Sequence, residues 1–92
     1  MTDFPKLLHD ALKRVTVGLD VPTLAAVTAD TNVFESVDSF TIVDLLLETE
    51  VLLEAETGKY IALADETVFD AERSPLLKWS NWVEFVEEHH RK

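Results

Sequence analysis

Asp38-Ser39-Phe40-Thr41-Ile42-Val43-Asp44-Leu45 is the stretch on which the chain turns, a capping acid and a serine leading into a run with helical spacing. Asp38 is a good N-cap, because its carboxylate can accept from the backbone N–H of Phe40 or Thr41, donors with no carbonyl one turn behind them. Ser39 then falls in the first helical turn, with its hydroxyl in water beside those same N–H groups. Further on, Ile42, Leu45, Leu46, Thr49, Leu52 and Leu53 share one side, while Asp44, Glu48, Glu50 and Glu54 fall elsewhere. The pattern predicts a long, acidic, amphipathic helix that ends at Thr57 and Gly58.

Working outward, Phe4, Leu7, Leu8, Ala11, Leu12 and Val15 mark one face of a first helix over about residues 3–17, capped by Thr2 or Asp3 and ended by Gly18. Leu19 to Val37 holds Pro22 and several Thr, Asp and Asn residues without a sustained period. It is expected as a long loop that Val21, Leu24, Val27, Val33 and Phe34 pin to the core. On the other side, Lys59 to Leu63 is expected to be extended, and Asp65 to Arg73 to form a short helix begun by Asp65 and packed through Val68 and Phe69. A final helix carries Trp79, Trp82, Val83, Phe85 and Val86. It starts at Ser74 with Pro75 in its first turn, or at Ser80, and its tail from Glu87 to Lys92 is solvated. The expectation is an all-α four-helix bundle of three longer helices and one short one, with a long first loop.

The chain has 92 residues, enough for one domain over 1–92 and one modest core. Its net charge of −10 disfavours nucleic acid and anionic membrane surfaces and favours basic partners. Without cysteine there is neither a disulfide nor a thiolate metal site. No apolar run approaches the about 20 residues that span a bilayer, so no membrane insertion is expected. The start of the chain lacks the basic-then-apolar pattern of a secretory signal. A cytoplasmic monomer is the default expectation.

The triplet Asp38-Ser39-Phe40 opening the second helix, within a helix order of long, long, short, long, resembles the acyl carrier protein family. In that family an Asp-Ser-Leu or Asp-Ser-Phe triplet begins the second helix and its serine bears 4'-phosphopantetheine. The resemblance implies that Ser39 is modified from coenzyme A by a separate phosphopantetheinyl transferase, and that Asp38 caps and orients it. It also implies that Phe40, Val43, Asp44, Leu47 and Glu50 form the surface met by acyl or aminoacyl ligases and acyltransferases with basic docking rims. The cargo then rides as a thioester, and the carrier itself catalyses nothing. Phe40 after the serine and a tryptophan late in the chain look more like stand-alone carriers such as the D-alanyl carrier proteins. The chain departs from the family at Glu35, Ser36 and Val37, where many carriers have glycine, and in a longer connection around Gly58, Lys59 and Tyr60.

Other chemistry finds less support. His9 lies on the polar side of the first helix and His89 and His90 in a charged tail, not at the spacing of converging metal ligands. Hydrolysis through Ser39 needs a base, and none lies near it in sequence. Two glycines in the whole chain exclude the usual Gly-rich phosphate loops. Trp79 and Trp82, three residues apart, share a face with Val83 and Val86 and are expected in the core. The alternative, which the resemblance implies, is that they line an acyl pocket and narrow it toward short or polar cargo. The competing class is an acidic helical interaction module without a prosthetic group, for which Ser39 is dispensable.

Overall fold

The computed structural model describes residues 3–17 and 27–91. The order along the chain is α1 (Phe4–Val15), α2 (Val33–Ser36), α3 (Ser39–Thr57), single 3-10 turns at Glu66–Phe69 and Pro75–Leu77, and α4 (Trp79–Arg91). Among the described residues the protein is all-helical and has no strand. Of the described α-helices, three are long and one is short. The short α-helix precedes α3, and a 3-10 turn stands where a short helix was expected after it.

Asp3 caps α1 by accepting from Lys6 N at 3.2 Å. Leu7, Leu8, Ala11 and Leu12 form its buried face, with Phe4 and Val15 packed at its margin. The helix closes at Val15, earlier than the pattern predicts, with Thr16 as its C-cap, N–H at 3.1 Å and hydroxyl at 2.7 Å from the Leu12 carbonyl. Gly18, Val21, Pro22 and Leu24 lie outside the described residues.

The described part of the first loop is pinned as expected through Val33, which is fully buried, and through Val27 and Phe34, which pack on the core. It also contains α2, which sequence patterning did not reveal. Asn32 caps that single turn, accepting from Glu35 N at 2.9 Å. The loop has a second task, since the carbonyls of Thr31 and Ala29 accept from Trp79 N and Ser80 N, both at 2.9 Å. These long-range bonds satisfy the opening donors of α4 in place of a side-chain cap.

α3 runs 19 residues along α1, from the Asp38 cap to Gly58. Gly58 has φ 73°, the left-handed turn in which its N–H reaches back to the Glu54 carbonyl. Ile42, Leu45, Leu46, Thr49 and Leu53 face inward, and each fully buried leucine side chain is worth about 1.5–3 kcal/mol of hydrophobic stabilisation. The chain then extends, with Ile61 and Leu63 turned in and Tyr60, Ala62 and Ala64 turned out. Asp65 starts only one 3-10 turn, because Asp70 adopts an extended backbone and begins a new turn, its carboxylate accepting from Glu72 N at 2.8 Å. Val68 is buried in that turn, whereas Phe69, expected inside, is exposed.

The final helix is split between the two expected starts. Ser74 caps a 3-10 turn that begins with Pro75, Lys78 breaks the run, and α4 begins at Trp79. Trp79, Trp82 and Val86 are buried, as their spacing implied. The tail expected in solvent stays helical through Arg91, with His89 bonded to the Phe85 carbonyl and His90 set edge-on against the Phe4 ring at 5.2 Å.

Candidate functional site

At the head of α3, the Asp38 carboxylate accepts from Thr41 N at 2.8 Å and from the Thr41 hydroxyl at 2.9 Å, while the Asp38 carbonyl accepts from Ile42 N at 3.1 Å. The bonds to the carboxylate, chiefly the one from the Thr41 backbone and then that from its hydroxyl, favour the charged form and hold the Asp38 carboxyl below its ordinary range. Of the two expected donors, Thr41 is the one that closes the cap at hydrogen-bond distance. Ser39 therefore sits in the first turn of the longest helix, exposed, and its hydroxyl makes no hydrogen bond to the described residues.

Among the described residues, that hydroxyl also has no hydrogen-bonded base. His89 and His90 are engaged at the other end of α4, and no carboxylate hydrogen-bonds the Ser39 side chain. Among the described residues, no group of three or more His, Asp or Glu converges on a metal-sized site. No helix there is long and apolar enough to cross a membrane. What the geometry offers is an exposed, unbonded hydroxyl in the first turn of a capped helix. An anion placed on it would stand at the positive end of a helix dipole, an interaction worth about 0.3–1 kcal/mol when exposed.

From Ser39 an apolar stripe runs along the outside of α3. Phe40 is 81% exposed, Val43 42%, Leu47 55% and Val51 60%, at successive spacings of three, four and four. The helix is thus apolar on two sides rather than plainly amphipathic. Val51 was missed by sequence reasoning, although its place four residues after Leu47 was a usable signal. Asp44 is exposed along one edge of the stripe and Glu54 lies on the other side of it.

Two acids of α3 are drawn away from this surface, one of them expected on it. Glu48 pairs with Arg14 of α1 at 3.0 Å. Glu50 is only 7% exposed, and its carboxylate accepts from Leu63 N at 2.9 Å and from the Tyr60 hydroxyl at 3.2 Å. Assigning Glu50 to the partner-facing surface is corrected by its position, four after Leu46 and three before Leu53, which places it on the inner arc of the helix. Its role is to hold the extended segment against α3. The bond to Glu50, reinforced by that carboxylate's charge, raises the Tyr60 phenol above its ordinary range.

Protein-family models, curated proteins and solved structures were each compared with the chain, and none matches it.

Proposed function

We propose that the protein is a carrier whose Ser39 receives 4'-phosphopantetheine from coenzyme A through a phosphopantetheinyl transferase. The observation that supports this best is the pairing of an exposed, unbonded serine hydroxyl in the first turn of a capped helix with an exposed apolar stripe starting at the next residue. Ser39 has room for a phosphodiester, Asp38 is occupied in capping the helix, and the first-turn backbone favours an anion. When bound, the group supplies a thiol that this cysteine-free chain lacks, and on it an acyl or aminoacyl cargo rides as a thioester.

The chain's own residues would position and present. Asp38 fixes the helix start and so the direction in which Ser39 points. Phe40, Val43, Leu47 and Val51 offer an apolar strip to the transferase, and to the ligase and acyltransferase that load and unload the carrier. Asp44 and Glu54 complement basic residues at the edges of such partners. On this reading catalysis belongs to those partners.

A second reading is favoured by the stripe alone: an acidic helical module binding a basic-rimmed partner with no prosthetic group. Intact-protein mass spectrometry after incubation with coenzyme A and a broad-specificity transferase, beside Ser39→Ala, separates the two. A gain of one phosphopantetheine in the parent and none in the variant is expected. No gain in the parent, including with the transferase of the source organism, would leave the interaction module as the better account.

A further inference from the structure

A helix satisfies most of its own backbone groups, but the extended segment from Tyr60 to Ala64 does not. Its side chains alternate, with Ile61 and Leu63 buried and Tyr60, Ala62 and Ala64 exposed. In an extended chain the backbone groups alternate sideways as well: those of Ile61 and Leu63 point to one edge, and those of Tyr60, Ala62 and Ala64 to the other. The first edge meets α3, where Glu50 accepts from Leu63 N at 2.9 Å. On the second edge the N–H and C=O groups of Tyr60, Ala62 and Ala64 make no hydrogen bond to the described residues. An open strand edge of this kind templates pairing with another strand, and natural folds ordinarily blunt it with charge, proline or a cover. Between Lys59 and Asp65 there is neither a charge nor a proline, and two of the three outward side chains are alanines that leave the backbone unobstructed.

The order of residues determines what fits. Centred on Ala62, the stretch Lys59-Tyr60-Ile61-Ala62-Leu63-Ala64-Asp65 is complementary to itself when run in the opposite direction. Ala62 then faces Ala62 of a second copy, Ile61 faces Leu63, Tyr60 faces Ala64 and Lys59 faces Asp65. Tyr60, Ala62 and Ala64 become the hydrogen-bonded positions of an antiparallel ladder, so every unpaired N–H and C=O of that edge finds a counterpart. Ile61 and Leu63 meet on the buried face as closely spaced, non-hydrogen-bonded pairs. At each end an ammonium comes opposite a carboxylate. Lys59 donates to the His90 carbonyl at 3.1 Å and Asp65 accepts from Thr67 N at 2.8 Å, yet an ammonium has three donors and a carboxylate two oxygens, so both can also serve the pair. An unrelated extended peptide would complete the ladder without this match of register and charge.

We propose that the Tyr60–Ala64 edge pairs antiparallel with the same edge of a second copy, in the register centred on Ala62, to give a two-fold dimer. The pairing uses neither Ser39 nor the exposed stripe of α3, and it holds whether or not the serine bears a prosthetic group. Two chains of net charge −10 repel each other at long range, which sets the affinity low and makes the dimer a matter of concentration.

Sedimentation equilibrium of the full chain from micromolar to millimolar concentration tests this at physiological salt, where exposed charges are screened beyond about 8 Å. Ala62→Pro and Ala62→Val are run beside the parent, and backbone amide exchange is followed by NMR on the same samples. Proline removes the central N–H, which has no partner in the monomer, at an exposed site whose extended backbone admits it. Valine keeps that N–H on a residue suited to strands. The parent and Ala62→Val should pass from monomer to dimer as concentration rises, whereas Ala62→Pro, with the parent's circular dichroism, stays monomeric. Where about nine-tenths of the chains are paired, exchange of the Tyr60, Ala62 and Ala64 amides should slow by about tenfold, while the Leu63 amide, already bonded to Glu50, changes little. A parent that is monomeric throughout overturns the proposal and leaves the edge to an extended strand of another protein. A dimer that Ala62→Pro retains also overturns it, as does a dimer that leaves those three amides unprotected, since the contact then lies elsewhere. If Ala62→Pro fails to fold, the parent's amides decide: protection at Tyr60, Ala62 and Ala64 on dimerisation supports the pairing, and its absence overturns it.

Discussion

Along α3 the inner face sets Ile42, Leu45, Leu46 and Leu53 into the core, while the outer face leaves Phe40, Val43, Leu47 and Val51 in water. The side chains are of one kind and their surroundings are opposite. A helix at the surface of a small bundle ordinarily keeps its apolar residues to one stripe and turns polar groups outward. Here the second stripe contributes little to holding the fold, and in an isolated molecule it is an exposed apolar patch of the kind associated with partner surfaces. Its start at the residue after Ser39 ties it to the modification proposed there. The inner stripe thus answers to stability, and on the proposed carrier role the outer one answers to encounter.

The largest expected effect lies on the inner face. Leu53→Ala or Leu45→Ala should lower unfolding free energy by about 2–5 kcal/mol, through lost burial and the cavity left behind. Urea denaturation measures this against a total of about 5–15 kcal/mol for an ordinary domain. A loss below 1 kcal/mol at both sites would break the contrast between the faces. Glu50→Ala comes next. It leaves the buried Leu63 N–H without an acceptor, at a cost of about 1–3 kcal/mol. The Leu63 amide should lose hydrogen-exchange protection in that variant, and retained protection would mean that Glu50 does not hold the extended segment.

Leu47→Ala sharpens the comparison from the other side. Its stability should stay within about 0.5 kcal/mol of the parent, as for an exposed residue without special contacts. On the carrier role, kcat/KM of the transferase for the variant should nonetheless fall, because a contact surface has been cut. A variant as destabilised as Leu53→Ala, or one modified at the parent's rate, would remove the distinction between a structural and an interacting face.

Elements governed by neighbouring residues were legible in the sequence. Asp38 and Gly58 bound α3 where capping chemistry puts them, and the apolar period of α1 returns as its buried face. The buried pair Trp79 and Trp82 followed from spacing for the same reason. What escaped depends on contacts distant in sequence. The start of α4 at Trp79 is set by carbonyls of Thr31 and Ala29, and no local pattern contains that information. Phe69 reads as a core residue, yet Asp70 redirects the chain after one turn and leaves the ring exposed. The candidate site divides in the same way. Ser39 at the head of α3 and the exposure of Phe40, Val43, Asp44 and Leu47 follow from helical phase. Glu50 was misassigned because its charge outweighed its phase, and its compensation, Leu63 N, lies thirteen residues away.

The smallest effect concerns the cap that aims Ser39, and it appears only in acid. The folded state holds the Asp38 carboxyl below its unperturbed value of 3.8, so the carboxylate's contribution to stability is fully present above that pH and is lost as pH falls through the lower folded value. Asp38→Asn keeps an oxygen able to accept from Thr41 N and has no proton to gain. At neutral pH the parent and Asp38→Asn should therefore unfold at nearly the same urea concentration. Below about pH 4 the parent should weaken relative to the variant, while the acid titration of Asp65, whose carboxyl is likewise held low by Thr67, proceeds equally in both. Curves that stay parallel from neutrality into that acid range would mean that the Asp38 carboxylate does not secure the helix start. The orientation of Ser39 would then have to come from the buried stripe behind it, and the two faces of α3 would no longer be separable in function.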